Sequence, residues 1–166
     1  GSDEADRDGA VTLNIPEEHF FPWSPDSPFL YDLTVGTTQG EEESFDTVHS
    51  YFALRKWSCA PDAKGVLRFC LNDRPLLLNG LLDQGYWPEG LYTPPSDAAV
   101  VHELQTIKEL GFNLLRKHAK IEPQRWYYHC DKLGLIVWQD MVNGGGAYPM
   151  WYVTYLTNAL QPLLRY

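Results

Sequence analysis

Apolar and polar residues alternate over residues 11–15 and again over 31–35, and this period of two predicts two strands, the second ended by Gly36. Between them Pro22, Pro25 and Pro28 are too dense for helix or ladder and predict an ordered turn. Gly40 with Glu41, Glu42 and Glu43 reads as a solvated hairpin tip. A long strand is expected over 46–57, with His49, Tyr51, Ala53 and Arg55 on one face and Val48, Ser50, Phe52 and Leu54 on the other. So few strands leave unpaired edges, so residues 1–64 are expected to form part of a β-sandwich rather than a closed one.

From Gly65 the pattern changes. Residues 66–71 and 76–78 predict a hairpin about Asn72 and Asp73, and 77–82 is an apolar run without polar alternation, as in a parallel strand covered on both faces. A loop rich in glycine, proline and aromatics follows over 83–95. Ser96 or Asp97 is placed to cap a helix whose Val100, Leu104, Ile107 and Leu110 fall at helical spacing, with Gly111 as its stop. Residues 112–116 predict the next strand. A second helix starts with Pro123 in its first turn, carries Trp126, His129, Cys130 and Leu133 on one stripe, and stops at Gly134. Residues 135–140 predict a third buried strand, 144–146 a glycine loop, and 149–166 a helical stretch interrupted near Pro162.

This order, β-α-β-α-β, implies parallel strands with right-handed crossovers. It begins a doubly wound sheet as readily as a closed barrel. In both, ligands bind at the carboxyl ends of the strands. Those ends carry Asp83 and Gln84, then Arg116, Lys117 and His118, then Gln139 and Asp140. Ionisable side chains at all three ends mark the candidate site.

Composition narrows the function classes. With 166 residues, 44% hydrophobic and 21% charged, the chain has the make-up of one core-forming domain or parts of two. The aromatic share of 14% serves core packing first, and it also suits stacking on sugar rings. A net charge of -9 and a pI near 4.9 argue against nucleic acid and anionic membranes as partners and suit a neutral substrate. No apolar run approaches the roughly 20 residues that span a bilayer, so a soluble chain is expected, with cytoplasmic and secreted locations both open. Gly1 and Ser2 read as a cloning remnant, which leaves a native leader open as well. Cys59, Cys70 and Cys130 fit neither a disulfide framework nor a zinc site and are expected to be buried free thiols. Gly144, Gly145 and Gly146 lack the lysine and spacing of a phosphate-binding loop and read as a flexible linker.

The chain also resembles a known family. Residues 71–80 are similar to the segment that leads into the catalytic barrel of glycoside hydrolase family 2. Residues 110–116, through Gly111, Phe112, Asn113 and Arg116, resemble its second barrel strand, and residues 126–140 its next helix and third strand. Upstream, residues 23–31 and 51–56 resemble parts of the immunoglobulin-like domain before that barrel. The resemblance implies a mixed α and β chain: a partial immunoglobulin-like β-sandwich over 1–64, then the first three βα units of a TIM (β/α)8 barrel over 65–166. It implies a parent of the β-galactosidase/β-glucuronidase type, a retaining exo-β-glycosidase acting through two glutamates. In the family these lie on the fourth and seventh strands, the acid/base within an Asn-Glu pair. This sequence holds no such pair. Both catalytic positions are therefore expected outside it, no residue here is assigned as catalytic, and the isolated chain is expected to be inactive.

Departures from the family pattern limit what carries over. Arg116 matches, but the following stretch 117–123 replaces a Ser-His-Tyr-Pro-like one, so His118 has no position-for-position counterpart. Asp83, Gln84 and Gly85 begin the first loop where β-galactosidases have an Asn-Arg-His-rich segment, and Gln139-Asp140 stands where Asp-Glu is common. Glycines replace the acidic metal ligands of some members, so neither a metal nor a cofactor is expected.

The candidate substrate-binding residues are Asp83, Trp87, Arg116, His118 and Asp140. Arg116 suits an active-site wall, where a guanidinium orients carboxylates and holds them ionised, or a structural ion pair. Asp83 and Asp140 suit acceptors of sugar hydroxyls or partners of Arg116. His118 suits a ligand or a satisfied loop histidine; Trp87, beside Tyr86, suits stacking or plugging. His19, His49 and His102 are read as non-functional. A small-molecule carbohydrate is the expected partner, and open strand edges predict self-association or pairing with the missing remainder. The rival from another class is a non-catalytic carbohydrate-binding or assembly module. A doubly wound nucleotide-binding domain is weakened by the missing Gly-rich turn after the first strand.

Overall fold

The computed structural model describes residues 10–37 and 46–140. The expected hairpin tip at 40–43, the glycine loop at 144–146 and the helical stretch at 149–166 lie outside the described residues. Strands β1 (Tyr31–Thr37) and β2 (Asp46–Phe52) form an antiparallel pair, and β3 (Trp57–Pro61), β4 (Leu67–Leu71) and β5 (Arg74–Pro75) a second antiparallel sheet. Strands β6 (Gly80–Asp83), β7 (Leu114–Lys117) and β8 (Ile136–Gln139) form a parallel sheet, crossed over by α1 (Asp97–Glu109) and α2 (Gln124–Leu133).

Several expectations for the first part change. Residues 11–15 are irregular, because alternation makes a strand only where a neighbouring backbone completes the ladder. A short 3-10 turn, Glu17–His19, follows, and the Tyr31 hydroxyl pins it by donating to His19 O at 2.6 Å and accepting from Phe21 N at 2.7 Å. Strand β1 runs on through Gly36, which pairs with Thr47. The long strand expected over 46–57 is two strands in different sheets. The break falls where the proline turn docks: Trp23 N donates to Leu54 O at 2.8 Å, Trp23 itself is fully buried, and the Arg55 guanidinium lies 5.0 Å from its ring centre. That turn is ordered as expected, closed by reciprocal backbone bonds between Ser24 and Ser27.

The hairpin after Gly65 forms as the turn residues require. Asn72 and Asp73 both take positive φ, 51° and 63°, the left-handed pair that lets β4 and β5 meet in two residues. A second turn, in which Asp62 accepts from Lys64 N and Val66 N, joins β3 to β4 across Gly65 within one sheet.

The parallel unit follows its pattern closely. Ser96 caps α1, its Oγ accepting from Ala99 N at 3.1 Å. Gly111 has φ +87 just beyond the helix, and Leu110, expected on the buried stripe, is exposed where the chain turns away. Pro123 is the N-cap of α2 rather than a first-turn residue. Gly134 has φ +76, and an added Cβ would lie 2.3 Å from Pro25 O, so both conformation and close approach demand glycine.

The sheet has two unlike faces. Towards the helices, Leu115 packs with Val100, Leu104, Trp126, Cys130 and Leu135 in a buried cluster. On the other face Leu114 and Ile136 pack under Trp23 and Leu71, so the β-rich part covers the lower half of the sheet. Coverage stops there: Leu82 is 56% exposed and Trp138 47%, so the apolar strands are not enclosed on both faces along their whole length. Cys70 and Cys130 are buried free thiols, and burial pushes the Cys130 thiol well up; Cys59 is exposed, contrary to expectation, because it shares an open face with its cross-strand partner Phe69, itself 54% exposed.

Candidate functional site

Parallel register decides which strand-end residues meet. Leu82, Arg116 and Trp138 stand in one row across β6, β7 and β8, and Asp83, Lys117 and Gln139 in the next. Successive side chains alternate across a sheet. The row containing Arg116 therefore shares the face of Leu114 and Ile136, and the row containing Lys117 shares the face of Leu115, towards the helices.

On the open face Arg116 meets Asp140. Its Nε donates to both carboxylate oxygens at 3.1 Å and its Nη2 to Oδ2 at 2.9 Å. Asp140 is held from behind, its N donating to Lys117 O at 3.1 Å. The Arg116 hydrogen bond keeps the Asp140 carboxyl below its ordinary range, with the charge of Arg116 acting in the same direction. The same contact raises Arg116 further above its usual value. His118 stands beside them: its N donates to Asp83 O at 2.9 Å, and its Nδ1 accepts from Gln84 Nε2 at 2.9 Å, leaving Nε2 to carry the ring proton.

Asp83 and Trp87 are placed elsewhere. Asp83 Oδ2 takes the Lys117 ammonium at 2.5 Å, and its Oδ1 accepts from Gly85 N at 2.7 Å. Trp87 packs against the helix-side cluster and exchanges backbone bonds with Leu91 at 2.7 and 2.9 Å. Of the five candidates, the open face thus brings Arg116, His118 and Asp140 together, while Asp83 and Trp87 anchor the first loop on the other side of the sheet.

Beneath this row lies a buried polar network that sequence reasoning missed. Lys117, fully buried, reaches Glu122 Oε1 at 2.9 Å as well as Asp83, and its ammonium sits 4.2 Å from the Trp126 ring centre. Lys120 reaches the same Glu122 oxygen at 2.8 Å and donates to Gly85 O and Tyr92 O. Gln139 donates to Lys120 O and Asp140 O and accepts from the Tyr127 hydroxyl, while Tyr127 in turn accepts from Glu122 N. Burial pushes the Tyr127 phenol up to about 12. Two lysines balance two carboxylates, as buried charges require. Glu103, on α1 nearby, has its carboxyl raised by burial and by the Asp83 charge. The sequence shows Asp83, Lys117 and Gln139 as strand-end residues and a run of charges at 117, 120 and 122, but not that they join in one buried network. Charge runs ordinarily face water, so the pattern alone does not reveal burial.

The arrangement offers fixed donors and acceptors on an open face, braced from below. Among the described residues no group of three or more His, Cys, Asp or Glu is placed to hold a metal ion. No helix of the described residues is long and apolar enough to cross a membrane.

No family model matches the chain. It is similar to the beta-galactosidase of Leuconostoc mesenteroides, 30% identical over 150 residues, which is 89% of this chain and 14% of that protein. It is 28% identical over 131 residues to the exo-beta-D-glucosaminidase of Streptomyces avermitilis, covering 74% of this chain and 14% of the relative. Among solved structures, the beta-glucuronidase 3 of Bacteroides uniformis aligns with a TM-score of 0.69 at 27% identity, over 85% of this chain and 17% of that one. The GH2 beta-galacturonidase of Eisenbergiella tayi aligns with a TM-score of 0.65 at 26% identity, over 77% and 22%. The chain therefore spans about 14% of the length of the curated relatives it matches. With collinear similarity over most of its length and a fold shared with these enzymes, the chain is similar to a short segment of β-galactosidases, β-glucuronidases and other glycosidases of glycoside hydrolase family 2.

Proposed function

We propose that this chain is part of a retaining exo-β-glycosidase and supplies one wall of its sugar pocket, with the two catalytic glutamates outside the sequence. In this reading residues 1–64 belong to an immunoglobulin-like β-sandwich, and residues 65–166 begin a (β/α)8 barrel whose interior face is the one bearing Arg116. The observation that carries it is the Arg116–Asp140 pair, fixed on the open face at the carboxyl ends of parallel strands, where barrel enzymes place their sites.

The chemistry follows from that position. In a retaining mechanism one carboxylate attacks the anomeric carbon while a carboxylic acid protonates the leaving oxygen, and water then releases the sugar. The wall's share is binding and orientation: Asp140, kept ionised, accepts from sugar hydroxyls, and Arg116 fixes its direction. His118 offers its Nε2 proton to the same space. Asp83 and Trp87 hold the first loop in place. Among the described residues β6 and β8 are the edges of their sheet, and such edges favour self-association of the isolated chain or pairing with the remainder.

Nitrophenyl β-galactoside, β-glucuronide and β-mannoside incubated with the isolated chain test the reading. No turnover is expected, for want of the carboxylates; robust hydrolysis by the chain alone refutes it. In the whole protein, Arg116→Ala should lower kcat/KM by about 100-fold, the scale of losing one positioned polar contact in an active site.

A further inference from the structure

We propose that the loop leaving β6 is a second carbohydrate contact, in which the rings of Tyr86 and Tyr92 stack on the apolar face of a pyranose unit in a neutral β-linked oligosaccharide. The proposal rests on the glycosidase reading and adds a sugar position separate from Arg116 and Asp140.

Two large aromatic side chains stand in the open on this loop, Tyr86 59% exposed and Tyr92 53% exposed, with ring centres 4.6 Å apart. Their hydroxyls are hydrogen-bonded to each other, which orients both rings and leaves ring surface to solvent. Singly scattered exposed rings need no explanation, whereas these two adjoin to make one continuous aromatic surface.

The loop beneath them is held to an unusual degree. Lys120, nine-tenths buried, donates to Gly85 O and to Tyr92 O, so one ammonium clamps both ends. Asp83 holds Gly85 N, and Trp87 and Leu91 exchange two backbone bonds between the tyrosines. Leu91 takes φ +54, and a Cβ on Gly90 would lie 2.2 Å from Thr93 O. The left-handed Leu91 is a strained conformation that persists only where surrounding contacts over-determine it, and Gly90 fits where any side chain would clash. A preorganised pair of rings meets a ligand without the entropic cost of ordering a loop.

The ligand class follows from charge. Among the described residues the ammonium near the rings is that of Lys120, 5.4 Å from the Tyr92 ring centre, and it already serves Glu122 and two carbonyls. An uncharged partner with an apolar face and a polar rim suits the site, which describes a pyranose.

Cellotetraose and mannotetraose titrated into the whole chain, followed by amide and side-chain NMR, test this directly. Shifts confined to residues 85–92 are expected, and Tyr86→Ala with Tyr92→Ala should weaken binding at least about tenfold. Tyr86→Phe with Tyr92→Phe keeps the rings and should bind within about threefold of the parent chain. Binding unchanged in the alanine variant, or lost equally in the phenylalanine variant, overturns ring stacking. Shifts only around Arg116, His118 and Asp140 overturn the second contact while leaving the pocket wall standing. No shift in either region with either sugar also overturns it, and the hydrolysis assay then judges the glycosidase reading separately.

Discussion

Replacing Lys117 with methionine removes a charge from the most heavily committed position in the network. The lysine is fully buried and touches two carboxylates, Asp83 at 2.5 Å and Glu122 at 2.9 Å, besides the face of Trp126. Methionine replaces most of the stem volume, so the cavity term is small and the electrostatic one dominates. Glu122, with its side chain only 3% exposed, keeps Lys120 at 2.8 Å, but Asp83 loses its only ion-pair partner among the described residues. Breaking a buried pair costs about 3–5 kcal/mol, and the remaining Lys120 puts this case near the lower end. Against a typical stability of about 5–15 kcal/mol, a loss near 3 leaves the fold marginal. Urea unfolding followed by tryptophan fluorescence measures it. Lys120→Met should cost less, because that lysine serves one carboxylate and two carbonyls. Adding Asp83→Asn to Lys117→Met should recover part of the loss, because the uncompensated charge is removed. A Lys117→Met cost under about 1 kcal/mol, the range of a surface pair, refutes the reading of a buried, interdependent cluster.

Gly134→Ala should cost about 1–3 kcal/mol, since it combines a left-handed φ with a clash against Pro25 O, and the loss should appear as a lower urea midpoint. Ser96→Ala should cost about 1 kcal/mol through the lost cap on α1, measured in the same way. Arg116→Ala should return the Asp140 carboxyl upward to its ordinary range in an NMR titration. The Asp140 contribution is present above the ordinary carboxylate range and lost as pH falls, so the variant should lose that acid-side dependence. Tyr127, held to about 12, should be a late phenol in an ultraviolet titration. Its folded pKa is raised, so its contribution is complete below the ordinary tyrosine range and lost as pH rises towards 12; Tyr127→Phe should abolish the late step.

The parallel unit was the part most open to sequence reasoning. Its stops and caps act within a few residues: Ser96 on Ala99, left-handed Gly111 and Gly134, the two-residue turn at Asn72 and Asp73. Its apolar stripes name Val100, Leu104, Trp126 and Cys130, all buried in one cluster. The first part was less open. Strand alternation at 11–15 found no ladder, and the run over 46–57 broke where Trp23 docks, because a ladder depends on a partner far away in sequence.

The sequence by itself carried the resemblance to glycoside hydrolase family 2, the order of the parallel strands and helices along the chain, and the ionisable residues at three strand ends. Local turn chemistry and periodicity are short-range, and collinear motifs survive without any knowledge of contacts. Only the tertiary structure decided which strand-end residues work together. Register puts Arg116 in the row beside Leu82 and Trp138, on the open face where it meets Asp140, and turns its neighbour Lys117 inward to Asp83 and Glu122. Adjacent residues in a strand face opposite ways, so one position along the chain separates a solvent-facing pair from a buried brace.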